Sequence, residues 1–398
     1  MFSIAYAIGP LPLDRLFGPV TQATAALTRL DERLARSTVR EGFIQRQHFA
    51  DAAAALWVEG ELVHLEDLVL HDAHMDIRTP THELTRAHAV LRARRQIFAR
   101  ASDWALSGEG LRQLTGRGAS VVEVRGSRER QGASSEEGAD EAASSAEQDA
   151  LAQEFAEIDA LLARSTNVLA GIEAGPKRPA TDSRPTLVYD LDWNEDERLA
   201  EWQAVLQATK DLPAVLRVAL LIDAWTEIGV LQHAPWLGPL LGAALLRQTG
   251  TTASHLTGLH AGAQKIPRER RRARDKVVRL LAVLETIHAT ASAGLKEHDR
   301  LLLARTQLER RLRSRRTSSK LPRLIDLVLA RPLVSAAMVQ KELEVSRQGA
   351  LDLVGELNLR EITGRKRFQA WGLCEQAMGS LRASVGQISP VGGLRQEK

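Results

Sequence analysis

Apolar residues recur every three or four positions along most of this chain, and that rhythm predicts a succession of amphipathic α-helices. Ahead of residue 125 it predicts helices over 20–36, 41–59, 61–71, 80–100 and 107–114. Thr79 and Pro80 are placed to cap and open the fourth, because a first-turn residue has no use for the N–H that proline lacks. Further helices are expected over 150–170 and, after an irregular Pro-containing strip at 176–191, from 195 to 316. Gly, Pro and Asn punctuation is sparse and β-branched alternation is rare, and no repeat of fixed period appears. The fold class expected is mainly α, with multi-helical N-terminal and central domains and one small exception at the C-terminal end.

That exception is VSAAMVQKELEVSRQGALDLVGELNLREITGRKRFQAW, residues 334–371, which reads as helix, tight turn, helix and basic hairpin. Ser335 can cap a helix running to Leu343 and Ser346 one running to Leu357, leaving only Glu344 and Val345 between them. So short a turn forces the helices to cross, with Met338, Val339, Leu343, Val345, Ala350, Leu351, Val354 and Leu357 as the face they bury. A residue after Leu343 is expected at positive φ, where Glu344 replaces the usual glycine at a cost of about 1 kcal/mol. Short strand-like runs then flank a tip carrying Arg365, Lys366 and Arg367, so the pattern is that of a winged helix-turn-helix. Ser346, Arg347, Gln348 and Gly349 open the second helix, where this motif reaches base edges, and the tip suits phosphates or a minor groove. Asp352 and Glu356 oppose phosphate on the same helix, which leaves a protein-docking role open beside double-stranded DNA.

Composition sharpens the domain picture. A chain of 398 residues with 44% hydrophobic content can bury a large core. Residues 127–149 hold seven Asp or Glu against two Arg, with no aliphatic side chain larger than Ala, and cannot repay the entropy of ordering. The domains expected are therefore 1–125, an acidic linker at 126–150, a central domain at 151–317, the winged helix at 318–375 and a flexible tail at 376–398. Within a net charge of +3, residues 264–324 hold 18 Lys or Arg against 6 Asp or Glu. Two arginine clusters stand out there: Arg268, Arg270, Arg271, Arg272 and Arg274, then Arg310, Arg311, Arg313, Arg315 and Arg316 beside the winged helix. Both could follow a DNA backbone or form a solvated helix face. No unbroken apolar run reaches the roughly 18 residues of a membrane span, and a single Cys374 allows no internal disulfide, so a cytoplasmic setting is expected.

Two segments resemble the Fic family, whose members combine a helical N-terminal region, a helical core and a C-terminal winged helix. AAAALWVEGELVHLEDLVL at 52–70 is similar to the inhibitory helix of Fic proteins, matching its Glu at Glu59 and its Gly at Gly60 but carrying Ala55 for the hydroxyl residue. The resemblance implies that Glu59 would pair with an active-site arginine. The Fic catalytic motif, His-Pro-Phe-x-Asp/Glu-Gly-Asn-Gly-Arg, has its best local counterpart in Gln232, His233, Ala234, Pro235, Trp236, Leu237 and Gly238. A histidine survives there without the carboxylate, the phosphate nest or the arginine, and a general base without a phosphate site cannot transfer a nucleotide. The region reads as a degenerate Fic-like core, so that no enzyme activity is expected, or as an unrelated helical domain; the rival reading is a divergent Fic-like nucleotidyltransferase using His233 and restrained by Glu59. Residues 57–95 also resemble a family of unknown function, common on plasmids of plant-associated bacteria, that ends in a helix-turn-helix. This resemblance implies no established activity but supports DNA binding, and the winged helix makes a transcriptional regulator, without a cofactor, the expected role.

Other constellations weigh less. His64, Asp67, His71 and His74 would share one face of a continuous helix, a spacing open to a transition metal and more often a solvated stripe, so no metal is expected. Trp57, Trp104, Trp193, Trp202, Trp225, Trp236 and Trp371 sit in helical patterns as core anchors, with Trp371 packed on the recognition helix. A homodimer suits paired half-sites but leaves no mark in the sequence.

Overall fold

In the computed structural model, which describes residues 6–75, 79–116, 193–312, 320–362 and 369–373, the expected rhythm is realised among the described residues as fourteen α-helices and a short sheet. The acidic stretch, the helix expected over 150–170, the strip at 176–191, the tail, Arg313, Arg315, Arg316 and the wing-tip Arg365, Lys366 and Arg367 lie outside those residues. In chain order the N-terminal helices are α1 (Leu13–Ala35), α2 (Arg40–Glu59), α3 (Leu65–Asp72), α4 (His82–Ala99) and α5 (Gly108–Leu114). They are followed by α6 (Glu195–Ala208), α7 (Ala214–Ile228), α8 (Leu237–Gln248), α9 (Leu259–Ala263), α10 (Arg268–Arg271) and α11 (Lys276–Leu312). The C-terminal module adds α12 (Leu321–Ala330), β1 (Val334–Ser335), α13 (Ala336–Leu343), α14 (Arg347–Leu357), β2 (Arg360–Glu361) and β3 (Ala370–Gly372). Mainly α is the correct class.

Three boundaries differ from the sequence reading, each for a local reason. Helix α1 begins at Leu13 and carries Pro19 inside it, because Leu16 is buried and tertiary burial outweighs the proline's cost. Helix α4 begins at His82, since Thr81 rather than Thr79 accepts the N–H of Leu84, at 3.3 Å. Helix α3 begins only at Leu65, so His64 precedes it, while His74 follows it at φ 56°. The His64, Asp67, His71 and His74 stripe is therefore not one helix face, and His71 instead meets His88 edge-on at 4.7 Å.

Helices from before residue 117 and after residue 193 share one core. α1 lies along α11, α2 crosses α4, α9 and α12, and α7 packs between α6 and α8. Trp202 and Trp225 meet edge-on at 5.3 Å, and a Cβ on Gly238 would approach the Trp225 side chain to 2.5 Å. That glycine, part of the Fic-like segment, lets α8 close on α7. A window of α11 is long and apolar enough to cross a membrane, yet half of it is buried against the other helices. Trp57 departs from the core-anchor expectation, being 39% exposed.

Charged groups are buried at several of these crossings. Asp51 of α2 and Arg94 of α4 are wholly buried and paired. His260 Nδ1 lies 3.0 Å from Asp51, and the Ala261 N–H donates to it at 2.9 Å. Arg94 also donates to the Leu256 carbonyl at 3.1 Å. Burial opposes the Asp51 charge, but Arg94 and His260 outweigh it and hold the carboxyl pKa at about 2. Asp223 gathers Arg279 at 2.5 Å and the Tyr6 hydroxyl at 2.7 Å, and Asp31 receives the Ser254 N–H at 2.7 Å. Each pair joins elements far apart in sequence, and removing one partner would strand a charge in low dielectric.

Candidate nucleic-acid interface

The C-terminal module is built by its caps. Ser335 Oγ accepts the Met338 N–H at 3.2 Å and Ser346 Oγ accepts the Gly349 N–H at 3.1 Å, fixing the first turns of α13 and α14. Between them Glu344 takes the left-handed conformation, φ 53° and ψ 57°, as the two-residue turn requires. Three cations close the helix ends. Lys320 Nζ donates to the Leu343 and Glu344 carbonyls at 2.6 and 3.0 Å, Arg323 to the Glu342 carbonyl at 3.1 Å, and Arg311 to the Leu357 carbonyl. Positive charge at these carbonyl-rich termini offsets part of the strain at Glu344. Arg311, read from the sequence as a member of a DNA-facing cluster, is thus a helix cap.

The core of this module contains Val339, Leu343, Ala350, Val354, Leu357 and Trp371, all buried, so the tryptophan joins the same apolar cluster as the second helix. The sheet has the order β1-β3-β2, with Val334 opposite Trp371 and Glu361 also opposite Trp371, both antiparallel. Ile362 N–H donates to the Ala370 carbonyl at 2.8 Å and carries the pairing toward the wing tip. β2 and β3 form the base of the expected wing.

What remains outward is the N-terminal turn of α14. Ser346, Arg347 and Gln348 are exposed and Gly349 is half-buried. Gln348 Nε2 donates to Asp352 Oδ1 at 2.9 Å, one turn along the same face. A Cβ on Gly349 would meet nothing nearer than Ser346 Oγ at 3.3 Å, so the glycine keeps the first turn shallow. Four of the seven residues proposed from sequence therefore cluster at one exposed helix start.

The module is fixed to the body. Arg46 of α2, 7% exposed, donates to the carbonyls of Leu329, Val328 and Arg331 at 2.7, 2.9 and 2.8 Å, capping the end of α12. A Cβ on Gly42 would lie 3.0 Å from the Leu329 carbonyl, so α2 and α12 touch backbone to backbone there. Leu30, Leu34, Phe43 and Ile44 enter the same core as the helix-turn-helix. Sequence reasoning missed Arg46, and nothing local to it signals carbonyls nearly 300 positions away.

The Fic-like positions are arranged differently from what the resemblance implies. Glu59 and Glu61 both pair with Arg86 of α4. Burial is the main cause holding the Glu59 carboxyl above its ordinary value, against the pull of Arg86. His233 is half-buried with Nδ1 3.3 Å from Glu195 Oε1. Among the described residues, no group of three His, Cys, Asp or Glu side chains is placed to hold a metal ion.

Comparison with known proteins agrees with this geometry. Residues 321–374 match a helix-turn-helix DNA binding domain, the segment running from the start of α12 to just past β3. Residues 187–313, the central helices, match a protein of unknown function (DUF1612). An uncharacterized protein, y4cF, of Sinorhizobium fredii is 51% identical over 381 residues, covering 93% of this chain and all of that relative. Identity at this level along both chains carries the body and the C-terminal module together, and the chain belongs to the same family as y4cF, with a DUF1612 region followed by a helix-turn-helix DNA binding domain.

Proposed function

We propose that the protein binds double-stranded DNA sequence-specifically and regulates transcription in the cytoplasm, with α14 as the recognition helix. The observation that carries this reading is the exposed first turn of α14, projecting Arg347 and Gln348 from a capped, tightly anchored helix-turn-helix. Arg347 suits the O6 and N7 acceptors of guanine, and Gln348, released from Asp352, suits adenine. Ser346 and Gly349 keep that turn small enough for close approach to the duplex. Asp352 and Glu356 lie farther along α14, so a helix entering the groove by its N-terminal end keeps them from the phosphates. Arg365, Lys366 and Arg367 would hold the backbone through charge alone, adding affinity that falls steeply with salt. Two copies bound as a homodimer would read paired half-sites.

In this reading His233 has no catalytic part. A histidine beside Glu195, with no phosphate nest after it, supports packing better than nucleotidyl transfer. The test is selection of bound fragments from genomic DNA by the purified full chain, repeated from low to physiological salt. Recovery of a common motif, with affinity falling log-linearly with salt, supports regulation through DNA. Salt-insensitive binding blind to sequence would replace it with a protein-docking module.

A further inference from the structure

A cleft of about 630 Å³ opens between the end of α2 and the segment leading through α10. Its apolar wall is supplied by Trp57, Leu62 and Pro267, of which Trp57 and Leu62 are 39% and 69% exposed. Three cations, Lys265, Arg268 and Arg271, also line it. Their neighbours offer them little compensation. Arg270 is taken by Glu285 at 2.6 Å, and Glu61, the acidic residue of the lining, is paired with Arg86. Arg271 uses its Nε on the Ile266 carbonyl at 3.0 Å. Among the described residues no carboxylate lies within ion-pair distance of Lys265, Arg268 or Arg271. Partial desolvation first, then the charges of Arg272 and Arg268, hold the Arg271 pKa below its ordinary value. Desolvation and the Lys296 ammonium do the same to Lys265.

We propose that this cleft binds a small amphipathic anion, a carboxylate, sulfonate or phosphate carried on an aromatic or short aliphatic body. The acid group sits against Lys265 and Arg268, with Arg271 behind them, and the apolar body lies on Trp57 and Leu62. The size suits such a ligand, since small-molecule sites commonly enclose about 300–1,000 Å³ with a mostly apolar lining and a few convergent polar groups. An anion there would neutralise like charges that no ion pair among the described residues neutralises, and burying the exposed indole adds an apolar gain. The site is separate from the DNA-facing turn. Arg46 secures the helix-turn-helix near the start of α2, whereas Val58 lines the cleft 12 residues later, about 18 Å along the helix.

The test titrates the full-length protein, without DNA, with 8-anilinonaphthalene-1-sulfonate and with its uncharged counterpart N-phenyl-1-naphthylamine. The expected result is saturable binding of one sulfonate per chain, at least tenfold weaker in Lys265→Gln/Arg268→Gln and in Trp57→Ala, with the uncharged probe indifferent to the charge substitutions. Lys265 and Arg268 are exposed, so the double variant keeps the fold, as an unchanged thermal midpoint verifies. Equal sulfonate binding by wild type and double variant, or binding without saturation, would overturn the proposal. Because no DNA enters this assay, its outcome is independent of the reading of α14.

Discussion

Charged residues serve opposite ends in two regions of this molecule. At the crossing of α2, α4 and α9 they are sealed in: Asp51 pairs with both Arg94 and His260, the latter more than 200 positions away. At the start of α14, Arg347 and Gln348 stand in solvent on a helix whose own stability comes from a serine cap and an apolar face. A buried charge that has lost its partner is expensive, so the first region specifies the fold. An exposed charge on a rigid frame costs the fold almost nothing and is available to a ligand, so the second region suits recognition.

Substitutions can break this contrast. Asp51→Ala leaves Arg94 buried without its carboxylate and is expected to lower stability by about 3–5 kcal/mol, read from urea unfolding. Next in size is a pH effect from the same region. Desolvation, then the Arg94 and Arg95 charges, keep the pKa of buried His48 well below 6.5. The unfolded chain takes up that proton as pH falls through about 6.5 while the folded chain does not, so stability drops by about 1.4 kcal/mol for each further unit. His48→Phe should flatten the slope between about pH 6.5 and 5. Asp51 adds its own loss lower down, because the unfolded carboxyl protonates below about 4 and the folded one only near pH 2. An unchanged slope in His48→Phe would place the acid sensitivity elsewhere.

In the recognition region the effects on stability are smaller. Ser346→Ala removes the cap on Gly349 and should cost about 1 kcal/mol, with faster amide exchange in the first turn of α14. Glu344→Gly relieves a left-handed residue and should raise stability by up to about 1 kcal/mol, seen as a higher thermal midpoint. A loss there would show that the side chain, rather than the backbone turn, holds the helices together.

What the sequence disclosed follows the same division. The helix-turn-helix was legible because its rules are local: two serine caps, a two-residue turn with positive φ at Glu344, and apolar spacing that selects Val339, Leu343, Val354 and Leu357. The helical class was legible for the same reason, with errors confined to ends where Thr81 competed with Thr79 or burial of Leu16 drew Pro19 inside. Contacts between distant segments carried no such signature. Nothing around Arg46 points to Leu329, nothing around Asp51 points to His260, and Lys265 and Trp57 meet at one cleft only once α2 has crossed the bundle. The four-residue His64 to His74 stripe failed because periodicity presumes a continuous helix, and α3 covers only part of it.

The most direct measurement is base-resolved binding of Arg347→Ala against wild type on a selected duplex and on every single-base variant of it. Wild type should discriminate at one base pair by about 1–3 kcal/mol, and Arg347→Ala should lose that preference while keeping its thermal midpoint and its salt dependence. If Arg347→Ala kept the full preference at every position, α14 would not be the element that reads the duplex, and the account given for this interface would be wrong.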